Sequence, residues 1–317
     1  MSYILLIIGF LLLIKGADMF VVGSSSIARI FKVPTLIIGL TIVAFGTSAP
    51  ESAVSITAAL KGSNDMAIAN VVGSNIFNLL AVVGIAAMIN PIKVQKSTII
   101  KEFPFATLAV VVLMILAHDT KFQGYNENLL TRADGLMLLA LFGIFMYYLI
   151  EMAITSKEEM NIEQAKEDIS MGKSILMSIL GIIGIFIGGQ MVVNSASNIA
   201  IAWGMSENLI GLTIVAIGTS LPEFVTSVIA ARKGESDIAI GNVVGSNLFN
   251  ILFVLGLSST ISNIQVHPIV FIDMLVMIIV TVLTYIFAAT KKNVNKVEGL
   301  FLVLIYIVYM VFVIIRQ

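Results

Sequence analysis

The sequence predicts an all-α polytopic membrane protein: ten transmembrane helices, set as two inverted five-helix repeats with broken helices at a shared polar centre. Three observations carry this. The 317 residues are 58% hydrophobic and 12% charged, with a mean hydropathy of +1.04, far more apolar than an average soluble domain. Ten segments approach the ~20 apolar residues needed to cross a ~30 Å hydrocarbon core. Finally, the chain repeats itself: GLTIVAFGTSAPE at Gly39–Glu51 returns as GLTIVAIGTSLPE at Gly211–Glu223, and 27 of the 40 positions from Gly39 to Asn78 match their mates 172 residues on.

The spans are expected near Tyr3–Ile27, Thr35–Leu60, Met66–Ile89, Glu102–Ala117, Arg132–Thr155, Ser174–Trp203, Glu207–Arg232, Ile238–Ser262, Pro268–Thr290 and Val297–Ile315. Five fall in each half, so residues 1–155 form the first repeat, 174–317 the second, and the charged stretch 156–173 a linker. An odd number of spans per repeat makes the second copy enter the bilayer from the opposite side, which inverts it. Lys and Arg are uneven between alternate loops. Arg29, Lys32, Lys93, Lys96, Lys101, Lys157, Lys166, Lys173, Arg232, Lys233, Lys291, Lys292 and Lys296 lie on one side, against Lys61, Lys121, Arg132 and Arg316 on the other. The richer side faces the cytoplasm, which puts the linker inside and both termini outside the cell membrane.

A net charge of −1 offers no basic field for nucleic acid, and the absence of cysteine removes disulfides and thiolate metal sites. The N-terminus lacks the positive leader of a cleaved signal, so the first span is expected to belong to the mature fold. Lys15 and Asp18, three apart in that span, read as a local salt bridge.

The chemistry is concentrated in four polar words: the two above, and Asn70–Asn78 (NVVGSNIFN) with its mate Asn242–Asn250 (NVVGSNLFN). Their centres fall near the midpoints of spans two, three, seven and eight, hence at one depth. Pro50 and Pro222 break their helices, and inversion brings Glu51 and Glu223 together. Ser48-x-x-Glu51 and Ser220-x-x-Glu223 also read as capping boxes. A cap contributes about 1 kcal/mol, whereas an acid deep in a bilayer costs on the order of 2.5–3.5 kcal/mol, so capping alone does not offset the carboxylates. Buried acids of this kind mark ion pathways. Ser74 with Asn78, and Ser246 with Asn250, share a helix face; interhelical hydrogen bonding would also explain them, but their depth favours ligation. Gly46, Gly73, Gly218 and Gly245 read as packing residues. The available donors are carboxylate, hydroxyl and amide oxygens, with backbone carbonyls, including those of Ala44 and Ala216, freed at the breaks. Such a set suits Ca²⁺ better than Mg²⁺, and the two histidines, His118 and His267, fall in loops.

These paired words, in a five-plus-five arrangement, resemble the α-repeats of the calcium/cation antiporter superfamily, most closely its prokaryotic sodium/calcium exchangers. The resemblance implies alternating access, with spans one and six sliding across a cluster that binds Ca²⁺ and Na⁺ as substrates and needs no cofactor. It assigns Glu51 and Glu223 as carboxylates shared by both ions and Thr47 and Thr219 as neighbouring ligands. It assigns Ser48, Ser220, Ser74, Ser246, Ala44 and Ala216 as flanking sodium ligands, and places Asn78 and Asn250 centrally. Some potassium-dependent relatives carry aspartate at the second of those central positions; here both are asparagine.

The expected function is therefore electrogenic exchange of about three Na⁺ for one Ca²⁺. Alternatives are Ca²⁺/H⁺ antiport, in which the paired acids carry protons, and potassium-dependent exchange. A passive channel would show single-channel currents. An intramembrane enzyme is disfavoured, because Gly46-Thr47-Ser48 has no histidine base within a span and no H-E-x-x-H motif is present.

Overall fold

Apolar runs of this length become helices because a bilayer leaves no water to satisfy the backbone, so each segment must hydrogen-bond to itself. The computed structural model describes residues 2–61, 65–155, 170–205 and 216–316, and they are mostly helical. In chain order they form α1 (Ser2–Phe31), α2 (Thr35–Thr47), α3 (Ala49–Lys61), α4 (65–89), α5 (Thr98–Leu116), the short α6 (Asp119–Phe122), α7 (Arg132–Thr155), α8 (Met171–Ala202), α9 (Ala216–Thr219), α10 (Leu221–Arg232), α11 (Ser236–Ile261), α12 (Pro268–Lys291) and α13 (Lys296–Ile315). Among the described residues eight helices are long and apolar enough to cross a membrane, and nine spans result if α2 and α3, bent by 51° at their junction, count as one. Most of the linker, and residues 207–215 of the expected seventh span, lie outside the described residues.

Boundaries differ modestly from expectation. Span four starts at Thr98 rather than Glu102, because a π-helical turn, Thr98–Glu102, carries the helix through residues too polar for a hydropathy reading. Similar wide turns occur at Gly39–Val43 in α2, Asn78–Val82 in α4 and Phe249–Leu255 in α11; such turns concentrate at functional positions.

Helices α4 and α11 are innermost: 78% and 94% of their most apolar windows are buried, against 11% for α13. Helices α1 and α8, the first element of each repeat, pack antiparallel along nearly their full lengths. A Cβ on Gly16 would stand 2.7 Å from the Ile185 backbone nitrogen, and one on Gly188 2.5 Å from that of Leu13; only glycine permits an approach this close. Near the end of α1, Ser174 Oγ donates to Ser26 Oγ at 2.9 Å. Asp18 pairs not with Lys15 but with Lys233, across the repeats, at 2.8 Å. The turn after α10 delivers that ammonium to α1, and Arg29 reaches Glu235 on the same turn at 3.7 Å.

Two small antiparallel ladders clip the repeats together. Strand β1 (Ile92–Lys93) pairs with β4 (Asn293–Val294), and β2 (Leu129–Leu130) with β3 (Ile264–Gln265). Strands β1 and β3 are themselves mates, 172 residues apart, so the two ladders are the same connection made twice with the repeats exchanged.

Candidate functional site

The two breaks are built alike. Ser48 (φ −83°, ψ 8°) ends α2 and Ser220 (φ −92°, ψ 6°) precedes α10, each followed two residues later by a proline that supplies no N–H. The bends turn Glu51 and Glu223 inward, and both are completely buried. Ser48 Oγ donates to Glu223 Oε1 at 2.8 Å. Its mate Ser220 lies 3.1 Å from Glu51 Oε1 and 2.9 Å from Ser74 Oγ. The capping-box reading is corrected at Ser220, which makes no side-chain cap bond; its hydroxyl is turned across the centre instead.

The middle of α4 meets the middle of α11 through four asparagines, all 5% exposed or less. Asn75 Nδ2 donates to the Asn247 carbonyl at 3.2 Å, and Asn247 Nδ2 to the Asn75 carbonyl at 3.3 Å. Asn78 Nδ2 donates to Asn247 Oδ1 at 3.1 Å, and Asn250 Nδ2 to Asn75 Oδ1 at 3.4 Å. Beside them Thr47 Oγ1 bonds Asn242 Oδ1 at 3.0 Å, and Asn242 Nδ2 bonds Ser227 Oγ at 2.9 Å and the Glu223 carbonyl at 3.3 Å.

What this network leaves unpaired defines its chemistry. Glu51 Oε2, Glu223 Oε2, Asn78 Oδ1, Asn250 Oδ1 and Ser246 Oγ are buried without a hydrogen-bond partner. Four of the five can only accept. The ion pairs Asp18–Lys233, Arg29–Glu235 and Asp273–Arg316 lie elsewhere, and the side chains that hydrogen-bond the two buried carboxylates across the repeats are serine hydroxyls. Unpaired buried charge is strongly unfavourable; a cation would relieve it. No cluster of three or more His, Cys, Asp or Glu occurs among the described residues, which leaves hydroxyl and amide oxygens to complete any coordination.

Of the residues expected from the sequence, Ser48, Glu51, Ser74, Asn78, Ser220, Glu223, Ser246 and Asn250 are all buried here. Thr47 is buried too, while Thr219 is half-buried. Ala216 opens α9. The expectation for Ala44 needs correcting: its carbonyl is not freed, since it accepts the Ser48 N–H at 3.0 Å and lies 3.4 Å from Thr47 Oγ1. The helix bends there without opening a gap, and only a second lone pair remains for a ligand. Asn75, Asn247 and Asn242 had not been singled out. Their signal was present, since each sits at the same place in both copies of its word.

The family profile described as "Sodium/calcium exchanger protein" matches residues 1–151 and 173–315. The chain belongs to the sodium/calcium exchanger family. Within that family it is 31% identical to the sodium/calcium exchanger MaX1 of Methanosarcina acetivorans, over 98% of this chain and 97% of the relative. It is 36% identical to the inner membrane protein YrbG of Escherichia coli, over 88% and 86%. Among solved structures, the sodium-calcium exchanger NCX_Mj soaked with 10 mM Na⁺ and zero Ca²⁺ superposes with a TM-score of 0.84 at 32% identity, covering 98% of each chain. The family's members are membrane transporters rather than enzymes, and this exchanger is accordingly a cation antiporter of prokaryotic type.

Proposed function

We propose that the chain exchanges Na⁺ for Ca²⁺ by alternating access, about three Na⁺ for one Ca²⁺, at a site formed by Glu51, Glu223, Thr47, Thr219, Ser48, Ser220, Ser74, Ser246, Asn78, Asn250 and the carbonyls of Ala44 and Ala216. The observation that carries this is the set of five buried oxygens without partners, two from carboxylates. Two charges match one Ca²⁺, which takes six to eight oxygens; in a low-dielectric interior neither carboxylate is dispensable for a divalent ion. Sodium would occupy the same oxygens, so binding of the two ions is mutually exclusive, and that exclusion is what couples their fluxes. The names of MaX1 and NCX_Mj support the ion pair.

The proposed frame is ten spans in two inverted repeats, 1–155 and 174–317, joined by a cytoplasmic linker, with both termini outside. Antiparallel α1 and α8 support it, because they are mates and must run oppositely if the repeats are inverted. Strand pairing supports the count. Six crossings separate β1 from β4, and four separate β2 from β3, only if 207–232 crosses the membrane. Without that crossing both numbers are odd, and each pair would be split between opposite faces. The 13 basic residues of one loop set against four of the other support the orientation.

The decisive measurement is ⁴⁵Ca²⁺ uptake into proteoliposomes containing the purified chain. Uptake driven by an outward Na⁺ gradient at fixed pH is expected. Calcium flux that follows a proton gradient and ignores Na⁺ would replace this reading with Ca²⁺/H⁺ antiport.

A further inference from the structure

We propose that Asn75 and Asn247 are positioning residues: they lock the side-chain amides of Asn250 and Asn78 with oxygen toward the ion centre and nitrogen away from it. The inference rests on the ion-site reading above and adds two residues that contribute no ligand atom of their own.

The argument turns on what each group can donate. An asparagine amide presents oxygen on one side and NH₂ on the other, and a half-turn about χ2 exchanges them. A cation site tolerates only oxygen. Asn78 and Asn250 therefore need something that forbids the half-turn, and that something must itself be incapable of the same ambiguity. The backbone carbonyls of Asn75 and Asn247 are such groups, since a carbonyl accepts and never donates. Each accepts the Nδ2 of the other repeat's inner asparagine, at 3.3 and 3.2 Å. This fixes both inner amides with Nδ2 on the carbonyl, so the Oδ1 atoms of Asn75 and Asn247 face the outer pair. Those oxygens can only be met by NH₂, and they are: Asn250 Nδ2 at 3.4 Å and Asn78 Nδ2 at 3.1 Å. The outer oxygens, Asn78 Oδ1 and Asn250 Oδ1, are left buried and unpaired.

The pairing is crosswise between repeats. Asn75 of α4 orients Asn250 of α11, and Asn247 of α11 orients Asn78 of α4. Neither half can set its own ligand. Because the inner residues are amides, the orientation is achieved without adding charge, and the centre keeps only the two carboxylates for a cation to balance.

A double-mutant cycle on calcium affinity tests this. In reconstituted full-length protein, Asn75→Ala is expected to raise the Ca²⁺ KM by about tenfold or more, in the range seen when the partner of a metal ligand is removed, with maximal rate less affected. The same substitution in an Asn250→Ala background should change KM little further, because the residue it orients is gone, whereas in an Asn78→Ala background its full effect should persist. Asn247→Ala should show the converse dependence. Purely structural asparagines would give additive effects in all four combinations, or equal coupling to both partners, and either result overturns the proposal. A measurement on the unmutated protein guards against variants that do not fold. With ¹³Cγ-labelled asparagine, adding Ca²⁺ should shift the Asn78 and Asn250 resonances more than those of Asn75 and Asn247. Equal shifts in all four, or none, would reject the division of roles. Failure of the cycle while Glu51→Gln and Glu223→Gln remain inactive would reject the positioning role alone; active glutamine variants would instead reject the site.

Discussion

Ser48 reaches out of the first repeat to hydrogen-bond Glu223 of the second at 2.8 Å. The reciprocal bond runs from Ser220 to Glu51 at 3.1 Å, so each carboxylate is oriented by the other half of the molecule. Glu51→Gln and Glu223→Gln are each expected to reduce sodium-driven calcium uptake to near background while inserted protein is retained. Near-normal uptake by either variant would remove that residue from the site.

Serine at these positions has a smaller but readable role. A hydrogen bond to a charged group contributes about 1.5–3 kcal/mol. Ser48→Ala and Ser220→Ala should therefore weaken ion affinity by roughly tenfold or more, with the thermal midpoint in detergent changed little. Unaltered Ca²⁺ and Na⁺ dependence in both variants would show that the hydroxyls neither orient nor ligate.

Transport is expected to move one net positive charge per cycle, which couples it to voltage by ~2.3 kcal/mol per 100 mV. It should need no potassium, since Asn78 and Asn250 add no third charge. Acid should inhibit, because each carboxylate that accepts a proton is lost to the cation. Voltage-clamped proteoliposomes, with potassium present or absent and across a pH series, test all three. Voltage-independent flux would defeat the three-to-one ratio, and an absolute potassium requirement would show that the asparagine pair had been misread.

Packing of α1 against α8 leaves no room at Gly188, where a Cβ would stand 2.5 Å from the Leu13 nitrogen. Gly188→Val should separate the two helices and cost about 1–3 kcal/mol, read as a lowered thermal midpoint and slowed exchange. A stable, fully active variant would mean the helices do not need this contact.

For topology, Glu159→Cys places a single thiol in a chain without cysteine. It should react with a membrane-impermeant reagent only once the inner face is opened. Labelling on intact cells would reverse the orientation and leave the repeat architecture standing.

Much of this was legible in the sequence because duplication doubles every signal. Glu51 and Glu223 stood out as acids in apolar runs, and the break at Ser48 followed from Pro50. What escaped a one-dimensional reading depends on contacts between repeats. Asn75 lies three positions from Asn78 on the same helix, yet the side chain it orients is Asn250, 175 residues away. The partner of Asp18 was likewise sought one turn away at Lys15 and found at Lys233. The Ala44 carbonyl was misjudged for a different reason. Pro50 in the sequence implies an opened helix, but a 51° bend absorbs it while the Ser48 N–H still closes the turn.

The ion pairs Asp18–Lys233 and Arg29–Glu235 have no image under exchange of the repeats. The positions 172 residues away are Gln190 with Lys61, and Ile201 with Ser63, and neither couple can form a salt bridge. A carrier with truly equivalent halves would dwell equally on its two faces when empty. If the two pairs are present in only one of its arrangements, they are expected to tilt that balance toward it. At about 0–1 kcal/mol per exposed pair, the tilt reaches a population ratio on the order of 30 to one. On the proposed mechanism the duplicated words would make ion binding symmetric, and these four unduplicated charges between the repeats are expected to bias the side of the membrane on which the unloaded exchanger waits.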